Sequence, residues 1–454
     1  MRRAWRDVLS GARRPPSLRG ADARHDHAHD SDHGTDHDLM RGVRLGVRGS
    51  ATGAVVAVDT SIHVDGTGQP LRWFVMSEDR LHTPADEPSL RVSTPDGAPV
   101  VTQRIALPGG DAALTTWMVA DDGGSVVVEF ANESPRACAL IIDGPPARSQ
   151  QQPRPVAGVS GVPATARSYS VGHRTTTRFV VGRGSTEPQH LPAADRVLAG
   201  WVAASATASS VDIPGTTLSA ALVAARSRIA VAHDHEWEQL LEHAPDLGVL
   251  GLAERARMGE TLGEWSAPVA DAVARIARAT RTMRGPRGRA IRAVQQAAHA
   301  LSLSGERRGA DDADDVWRRI SAPHPIRDAA PDPVAAHDLG GPQRFDLATA
   351  IDVAAGIEQR FVRATSAGDG GIILDLFASG LPAPWRGIDG RVEKLSAGPR
   401  HSLSFAMRWH GPRLAILWEC AGPAPVTIRA ERIDPAWSVT GMRGDALLEV
   451  TPES

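Results

Sequence analysis

The chain of 454 residues has a mass of 48.0 kDa and carries 50 basic and 53 acidic side chains, so its net charge is -3. This near balance argues against binding of nucleic acid through a basic surface, because phosphate binding requires clustered positive charge. The 2 cysteines exclude a disulfide scaffold or a cysteine-rich zinc module. No apolar run reaches the ~18–20 residues of a membrane span. We therefore expect a soluble, cytoplasmic protein of about three domains, without nucleic-acid or membrane partners.

Residues 1–40 form a polar N-terminal segment without helical or strand periodicity. The first part is rich in arginine but lacks the apolar stretch of ~7–15 residues that a secretory signal requires. The second part interleaves aspartates with the histidines His25, His27, His29, His33 and His37. Imidazole and carboxylate groups bind Zn²⁺ or Ni²⁺, but a flexible segment offers no fixed ligand geometry. We predict a disordered tail with adventitious metal binding at most.

Short β-type segments separated by turn signals occupy residues 41–212. The predicted strands cover residues 54–58, 71–76, 100–107, 114–119, 126–130, 138–142, 176–181 and 197–202. Turn sequences rich in Gly, Asp, Asn and Pro separate most of them. Many short strands at such spacing are typical of an antiparallel β-sandwich, which we predict for this region.

A helical period begins after the candidate N-cap Thr216 or Thr217, and apolar residues then recur at helical spacing as far as Leu241. Further helices are predicted after Pro268, over residues 291–301, after the aspartates at 311–315 and after the candidate cap Asp346. A connection rich in Pro, Asp and His covers residues 323–342. We expect about five or six helices in residues 213–365.

Residues 366–454 return to a strand pattern. Alternation of Leu403, Phe405, Met407 and Trp409 with small or polar residues predicts a strand with one apolar face. A turn at His410-Gly411-Pro412 leads into a second strand at 413–419, and residues 372–376, 426–430 and 446–450 complete a small sheet. A sheet with one main hairpin has a thin core, so we expect it to dock on another domain.

This order of domains, a β-sandwich, a helical body and a small C-terminal β domain, resembles the glucoamylase-like, six-hairpin glycosidase architecture. Four strings resemble an uncharacterised bacterial family of that shape: VVVEFANESPRACALII at 126–142, ADRVLAGWVA at 194–203, TTLSAALVAARSRI at 216–229 and LPAPWRGIDGRVEKLSAGPRHSLSFAMRWHGPRLAILWE at 381–419. The resemblance implies an ancestry among carbohydrate-active folds, with an α/α toroid in the helical region.

The helical region is too short for a complete toroid. Twelve helices with their connections require on the order of 250–400 residues, whereas this region spans residues 213–365. We therefore predict a multi-domain α+β protein whose central domain is only partly toroid-like.

Glycoside hydrolysis requires two carboxyl groups on either side of a sugar. The candidate pair is Glu260 and Glu264, which would share one face of a helix, with Trp265 beside them as a ring for sugar stacking. A solvated acidic surface at a helix start explains the pair equally simply, and we favour that interpretation. Trp385 in a Pro-rich loop is the second candidate for a sugar-binding ring, although packing in a core is the more common role for tryptophan.

The sequence also argues against a histidine metal site and against a cysteine nucleophile. His233 and His235 lie two residues apart, so on one helix they would diverge by ~200° and could not share a metal ion. Cys138 and Cys420 lie in predicted strands beside apolar residues, as buried free thiols do. We predict no cofactor.

The interpretation we favour is a non-catalytic or degenerate relative of the glucoamylase-like proteins that retains, at most, carbohydrate binding. One alternative is an active glycoside hydrolase or phosphorylase built on a shortened ring. Another is a protein-interaction scaffold, whose partners the sequence does not identify. A cleft lined by paired carboxylates would favour the enzyme, and a flat apolar patch would favour the scaffold.

Overall fold

A computed structural model describes residues 42–156, 158–283, 287–321, 345–367 and 370–450. The predicted N-terminal tail, with its five histidines, lies outside these residues, and so does the predicted connection at 323–342. In the described part of the chain, no helix is both long enough and apolar enough to cross a membrane.

The N-terminal region consists of three antiparallel sheets. The first contains β1 (Val43–Gly46), β2 (Gly53–Val56) and β3 (Ile62–Val64). The second has the order β12 (Arg154–Pro155), β13 (Arg167–Val171), β10 (Cys138–Asp143), β4 (Arg72–Met76) and β5 (Leu81–His82). The third has the order β11 (Arg148–Ser149), β14 (Thr175–Gly182), β9 (Ser125–Asn132), β8 (Gly110–Val119), β7 (Val101–Leu107) and β6 (Arg91–Ser93).

One apolar core joins these sheets, since Leu45, Trp73, Leu114 and Phe179 are all buried in it. The predicted strands from residue 54 to residue 181 are found. β7 alternates buried residues with more exposed ones, whereas β8 and β9 are buried on both faces, as expected for central strands of a covered sheet. Seven strands of this region were not predicted. Five have only two or three residues, too few to show periodicity: β3, β5, β6, β11 and β12. The other two, β1 and β13, have four and five residues.

The strand predicted at 197–202 is wrong, because these residues belong to helix α1 (Ala194–Ala208). Val197, Leu198 and Trp201 lie on one helical face and pack against the outer side of the third sheet, where they contact a cluster that includes Trp117 and Val180. A short apolar run fits a strand or a buried helix face equally well, so its length alone misled the prediction.

Seven further helices follow in the described chain: α2 (Leu218–Ala230), α3 (Asp234–His243), α4 (Pro245–Arg257), α5 (Ser266–Thr282), α6 (Gly288–Leu303), α7 (Arg307–Ile320) and α8 (Leu347–Phe361). The predicted cap is found at α8, where the Asp346 side chain accepts a hydrogen bond of 2.6 Å from the Thr349 N–H. The predicted run to Leu241 is interrupted, because α2 ends at Ala230 and a new helix starts at Asp234. Helix α4 was not predicted; Pro245 occupies its first turn.

The aspartates at 311–315 do not form the first turn of a helix, since α7 already begins at Arg307. Helices α2, α4 and α8 pack against one another and α6 packs against α4, whereas α3, α5 and α7 pack around this group. The inner helices are buried on most of their faces, whereas α5 and α7 bury mainly one face.

The C-terminal region forms two sheets rather than the small sheet predicted. The first has the order β15 (Ser210–Asp212), β18 (Gly390–Ser396), β19 (Ser402–His410), β20 (Arg413–Ala421) and β23 (Arg443–Glu449). The second has the order β16 (Val362–Ser366), β17 (Ile372–Leu376), β21 (Val426–Ala430) and β22 (Asp434–Gly441). The predicted hairpin of β19 and β20 is found, and Leu403, Phe405 and Met407 are buried.

These two sheets share one core with the helices, which contains Ile351 and Phe361 of α8 together with Phe377 and Phe405. The two sheets therefore bury their apolar faces against the helices. Their first sheet even includes β15, which precedes α2 in the chain.

The N-terminal sheets are held closely against the helices. In the turn Pro95–Gly97, Gly97 has φ +74° and touches α2, so an added Cβ would lie 1.9 Å from the Ala220 carbonyl oxygen. Arg48 donates a hydrogen bond of 2.9 Å to the Met258 carbonyl oxygen. Only glycine fits at position 97, because both the backbone conformation and the space exclude a side chain.

Candidate functional site

The two predicted acids do not share a helical face. Glu260 lies in the loop after α4, and its carboxylate accepts hydrogen bonds from Arg48 at 3.1 Å and Arg255 at 2.6 Å. Glu264 lies in the short 3-10 turn Gly263–Trp265 and is exposed. The helix begins only at Ser266, so the spacing that would have aligned the pair on a helix does not apply.

The two predicted sugar-binding rings differ in their surroundings. Trp265 is half-buried and packs against the core. Trp385 is only 4% exposed, and its ring stacks on Phe361 with centroids 5.3 Å apart. Trp385 is therefore a core residue, in one aromatic cluster with Phe361 and Phe405.

The prediction that the His233 and His235 side chains diverge is wrong, because the two residues do not both lie in one helix. His233 precedes α3, and its N–H donates a hydrogen bond of 2.9 Å to Glu236. Its ring therefore stacks on that of His235, with centroids 5.8 Å apart. Among the described residues, no group of three His, Cys, Asp or Glu side chains could hold a metal ion.

The inner helices bring five charged residues together, and we call these the central ion-pair cluster: Arg226 of α2, Glu254 and Arg257 of α4, Arg292 of α6 and Glu358 of α8. Each residue is at most 7% exposed. A charge placed so deeply is stable only when hydrogen bonds replace its hydration. These five charges are therefore held in the interior by the ion pairs and hydrogen bonds they form with one another and with the backbone.

Glu358 is the hub of the cluster. Its carboxylate accepts hydrogen bonds of 2.6 Å from Ser209, 3.1 Å from Arg226 and 2.6 Å from Arg292. Arg257 adds two more, at 2.7 and 3.0 Å. Burial alone would raise the pKa of Glu358, but the charges of the three arginines outweigh it and lower the pKa from 4.5 to about 2.

Glu254 is the second acid of the cluster. It accepts hydrogen bonds of 2.6 Å from Arg226 and 2.8 Å from Arg257. Arg257 also donates at 3.2 Å to the Lys394 carbonyl oxygen, which a bulge in β18 turns toward the helices. Lys394 has φ +56°, so the sheet adopts a strained backbone at the point where it contacts the cluster.

The cluster has an excess of positive charge, since three arginines face two glutamates. The neighbouring His299 does not add to it, because burial and the charge of Arg257 lower the pKa of His299 from 6.5 to about 4. Burial also lowers the pKa of Arg292, although Glu358 opposes this change. At neutral pH the cluster therefore carries one net positive charge.

Raised carboxyl pKa values occur outside the cluster, at Asp375 of β17 and at Asp312 of α7, and burial is the main cause of both. Burial raises the pKa of Asp375, and the charge of Arg429 opposes the change. Arg429 lies 3.5 Å away, and the Glu431 N–H donates to the carboxylate at 3.3 Å. These contacts are typical of an acid that ties two strands together.

A shallow surface depression of about 420 Å³ lies beside α3, and we call it the α3 depression. Its lining consists of Glu236, Gln239, Leu240, His243 and Leu347. Its volume is in the range of small-molecule sites. Carboxylate, amide and imidazole groups beside leucines can bind a ligand that has hydroxyl groups and apolar edges.

The two thiols are buried and free, as predicted. Burial raises the pKa of both Cys138 and Cys420 to about 11. A thiol nucleophile requires a lowered pKa, so neither is activated.

Sequence reasoning missed the central ion-pair cluster. A signal existed in α6, where Arg292, Gln295, Gln296 and His299 form a polar stripe at helical spacing in a helix otherwise rich in alanine and leucine. Such a stripe usually marks a solvated face, so the sequence alone did not show that this one is buried.

No protein-family model matches the chain, and no curated protein matches it. Among solved structures, the chain is similar to one described as "Putative kojibiose phosphorylase from human microbiome", over 91% of this chain and 97% of that one. The sequence identity is 7% and the TM-score is 0.32. The function is therefore inferred from the residues of the chain itself.

Proposed function

We propose that this chain is a non-catalytic relative of the glucoamylase-like proteins and that it binds carbohydrate. The observation that carries the proposal is that the two buried glutamates of the helical body are both ionised and paired with arginines. Glu254 and Glu358 are buried among the inner helices, and arginines form ion pairs with both of them.

Glycosidases and inverting phosphorylases need a carboxylic acid that can donate a proton near neutral pH. Such an acid is created by an apolar or like-charged environment that raises its pKa. Glu358 has the opposite environment, since its pKa is about 2. The space between these helices is also too small for a sugar, because the cavity beside Glu254 leaves only about 10 Å³ for the centre of a water-sized particle.

The α3 depression supports the binding part of the proposal. Glu236, Gln239 and His243 lie on one face of α3 and present hydrogen-bonding groups to the same space. Glu236 is held in place by Arg228 and by the His233 N–H. A prearranged carboxylate of this kind can accept hydrogen bonds from neighbouring hydroxyl groups of a sugar.

The catalytic part is tested with α- and β-linked glucosides, mannosides and trehalose, with and without inorganic phosphate. We expect no release of monosaccharide or sugar phosphate above background. Turnover that disappears in the double variant Glu260→Gln and Glu264→Gln, while the fold is retained, would establish the enzyme alternative instead.

The binding part is tested by calorimetric titration of the full chain with the same sugars. Gln239→Ala combined with His243→Ala should weaken binding at least about tenfold, since two hydrogen-bonding groups are lost. Glu238→Ala is the matched control, because Glu238 is exposed on the same helix and does not line the α3 depression. Equal sugar affinity in the wild type, the double variant and the control would show that the α3 depression is not the binding site.

Protein interaction is the second candidate function, and it rests on the outer face of the first C-terminal sheet. Leu417 is 62% exposed and Leu447 is 43% exposed, and they lie diagonally across β20 and β23. Light scattering measures whether the chain associates, and Leu417→Thr should dissociate any oligomer that uses this face. A monomer at high concentration would contradict self-association through it.

A further inference from the structure

The central ion-pair cluster is not neutral, although it is buried. Three arginines and two glutamates leave one positive charge in excess, and His299 is neutral beside them at neutral pH. An uncompensated charge at this depth is costly, because the protein interior cannot replace its hydration. A bound counter-ion would remove that cost.

A small cavity beside the cluster could hold such an ion. The Nε of Arg292 and the Oε1 of Gln296 are buried and have no hydrogen-bond partner among the described residues. Both residues are at most 5% exposed, and both line a cavity between α2, α4, α6 and α8. The cavity has about 10 Å³ of room for the centre of a water-sized particle, so at most one small particle occupies it.

We propose that this cavity binds a small monovalent anion of the halide class, such as chloride. The Arg292 Nε–H donates one hydrogen bond to it. The amide of Gln296 turns its NH₂ group inward to donate a second, since the oxygen and nitrogen of an amide can exchange places. Apolar walls complete the site, formed by Ile229, Leu250, Ile351 and Ala354.

Glu254 also lines the cavity, and its carboxylate must not repel the anion. Both of its oxygens are already bound, one by Arg226 at 2.6 Å and the other by Arg257 at 2.8 Å. The net charge that the anion meets is therefore positive. A water molecule could bridge Arg292 and Gln296, but it would leave the excess charge in place.

The test compares thermal unfolding of the full chain in sodium chloride and in sodium gluconate at constant ionic strength. Chloride should raise Tm along a saturating curve, by about 2 °C or more at saturation, because an ion that binds only the folded state stabilises it. Gln296→Leu keeps every charge and removes the amide, so its Tm should not depend on chloride. Gln189→Leu, on an exposed turn, is the matched control and should keep the dependence.

Crystals of the wild-type chain grown in sodium bromide give a second measurement that does not depend on the variants. An anomalous peak within hydrogen-bond distance of Arg292 supports the site. Equal Tm values of the wild type in chloride and gluconate overturn it, and so does a cavity that holds only water in the bromide crystals. The inference does not depend on whether the chain binds carbohydrate.

Discussion

Replacing Glu358 by glutamine removes the negative charge on which three arginines converge. The substitution keeps the shape of the side chain but raises the net charge of the central ion-pair cluster from one to two. Five hydrogen bonds to the carboxylate lose their charged acceptor. Removing one partner from a buried ion pair costs about 3–5 kcal/mol, so we expect a loss of that size.

The pH dependence gives an independent measure of the same contribution. A pKa lowered from 4.5 to about 2 corresponds to about 3 kcal/mol of stability. Because the folded-state pKa is lowered, this stability is fully present above pH 4.5 and is lost as the pH falls towards 2. The difference between wild type and Glu358→Gln should therefore shrink over that pH range.

Urea unfolding followed by circular dichroism at 222 nm measures both effects, since the signal reports the helices that surround the cluster. Glu264→Gln is the control, because Glu264 is exposed and its substitution should change stability by less than about 0.5 kcal/mol. The reasoning fails if Glu358→Gln unfolds within about 1 kcal/mol of the wild type at pH 7, or if their difference stays constant down to pH 2.

Three other changes have definite expected outcomes. Phe405→Ala should cost about 3–5 kcal/mol in urea unfolding, because Phe405 is 2% exposed in the shared core; a loss below about 1 kcal/mol would contradict this. A fragment of residues 42–370 should be insoluble or melt without cooperativity in calorimetry, since it lacks most strands of that core, and a sharp melting transition would count against shared folding. Cys138 and Cys420 should resist iodoacetamide at pH 8 until urea is added, as mass spectrometry would detect, because both thiols are buried with a pKa of about 11.

Much of the fold follows from alternation in the sequence. The alternation of Leu403, Phe405 and Met407 and the turn sequence around Gly411 predict the β19–β20 hairpin. The structure contains this hairpin, and Gly411 has a φ of +63° in its turn. The same reasoning failed at residues 197–202, where an apolar run belongs to a helix that packs on a sheet. Local pattern cannot distinguish these cases, since the decision depends on a surface formed by distant strands.

The candidate site was less predictable. The members of the central ion-pair cluster come from four helices, and Arg226 and Glu358 are 132 residues apart in the chain. In the sequence, each of them resembles a charged residue on the solvent-exposed face of a helix, and only the packing of the helices shows that it is buried. The acids that sequence reasoning selected, Glu260 and Glu264, were chosen for local spacing, and the fold places them on a loop and a turn.

The contact between Gly97 and α2 has a mechanical consequence. Many multidomain proteins grip their ligands by rotating one domain against another about a hinge. Here the backbone at Gly97, in a turn of the N-terminal region, touches α2 without an intervening side chain. Arg48 connects the same two regions at a second place, through its hydrogen bond to the Met258 carbonyl oxygen. Rotation between them would have to break both contacts at once. A ligand bound as proposed above would therefore meet a rigid frame, in which side chains rather than domains adjust to it.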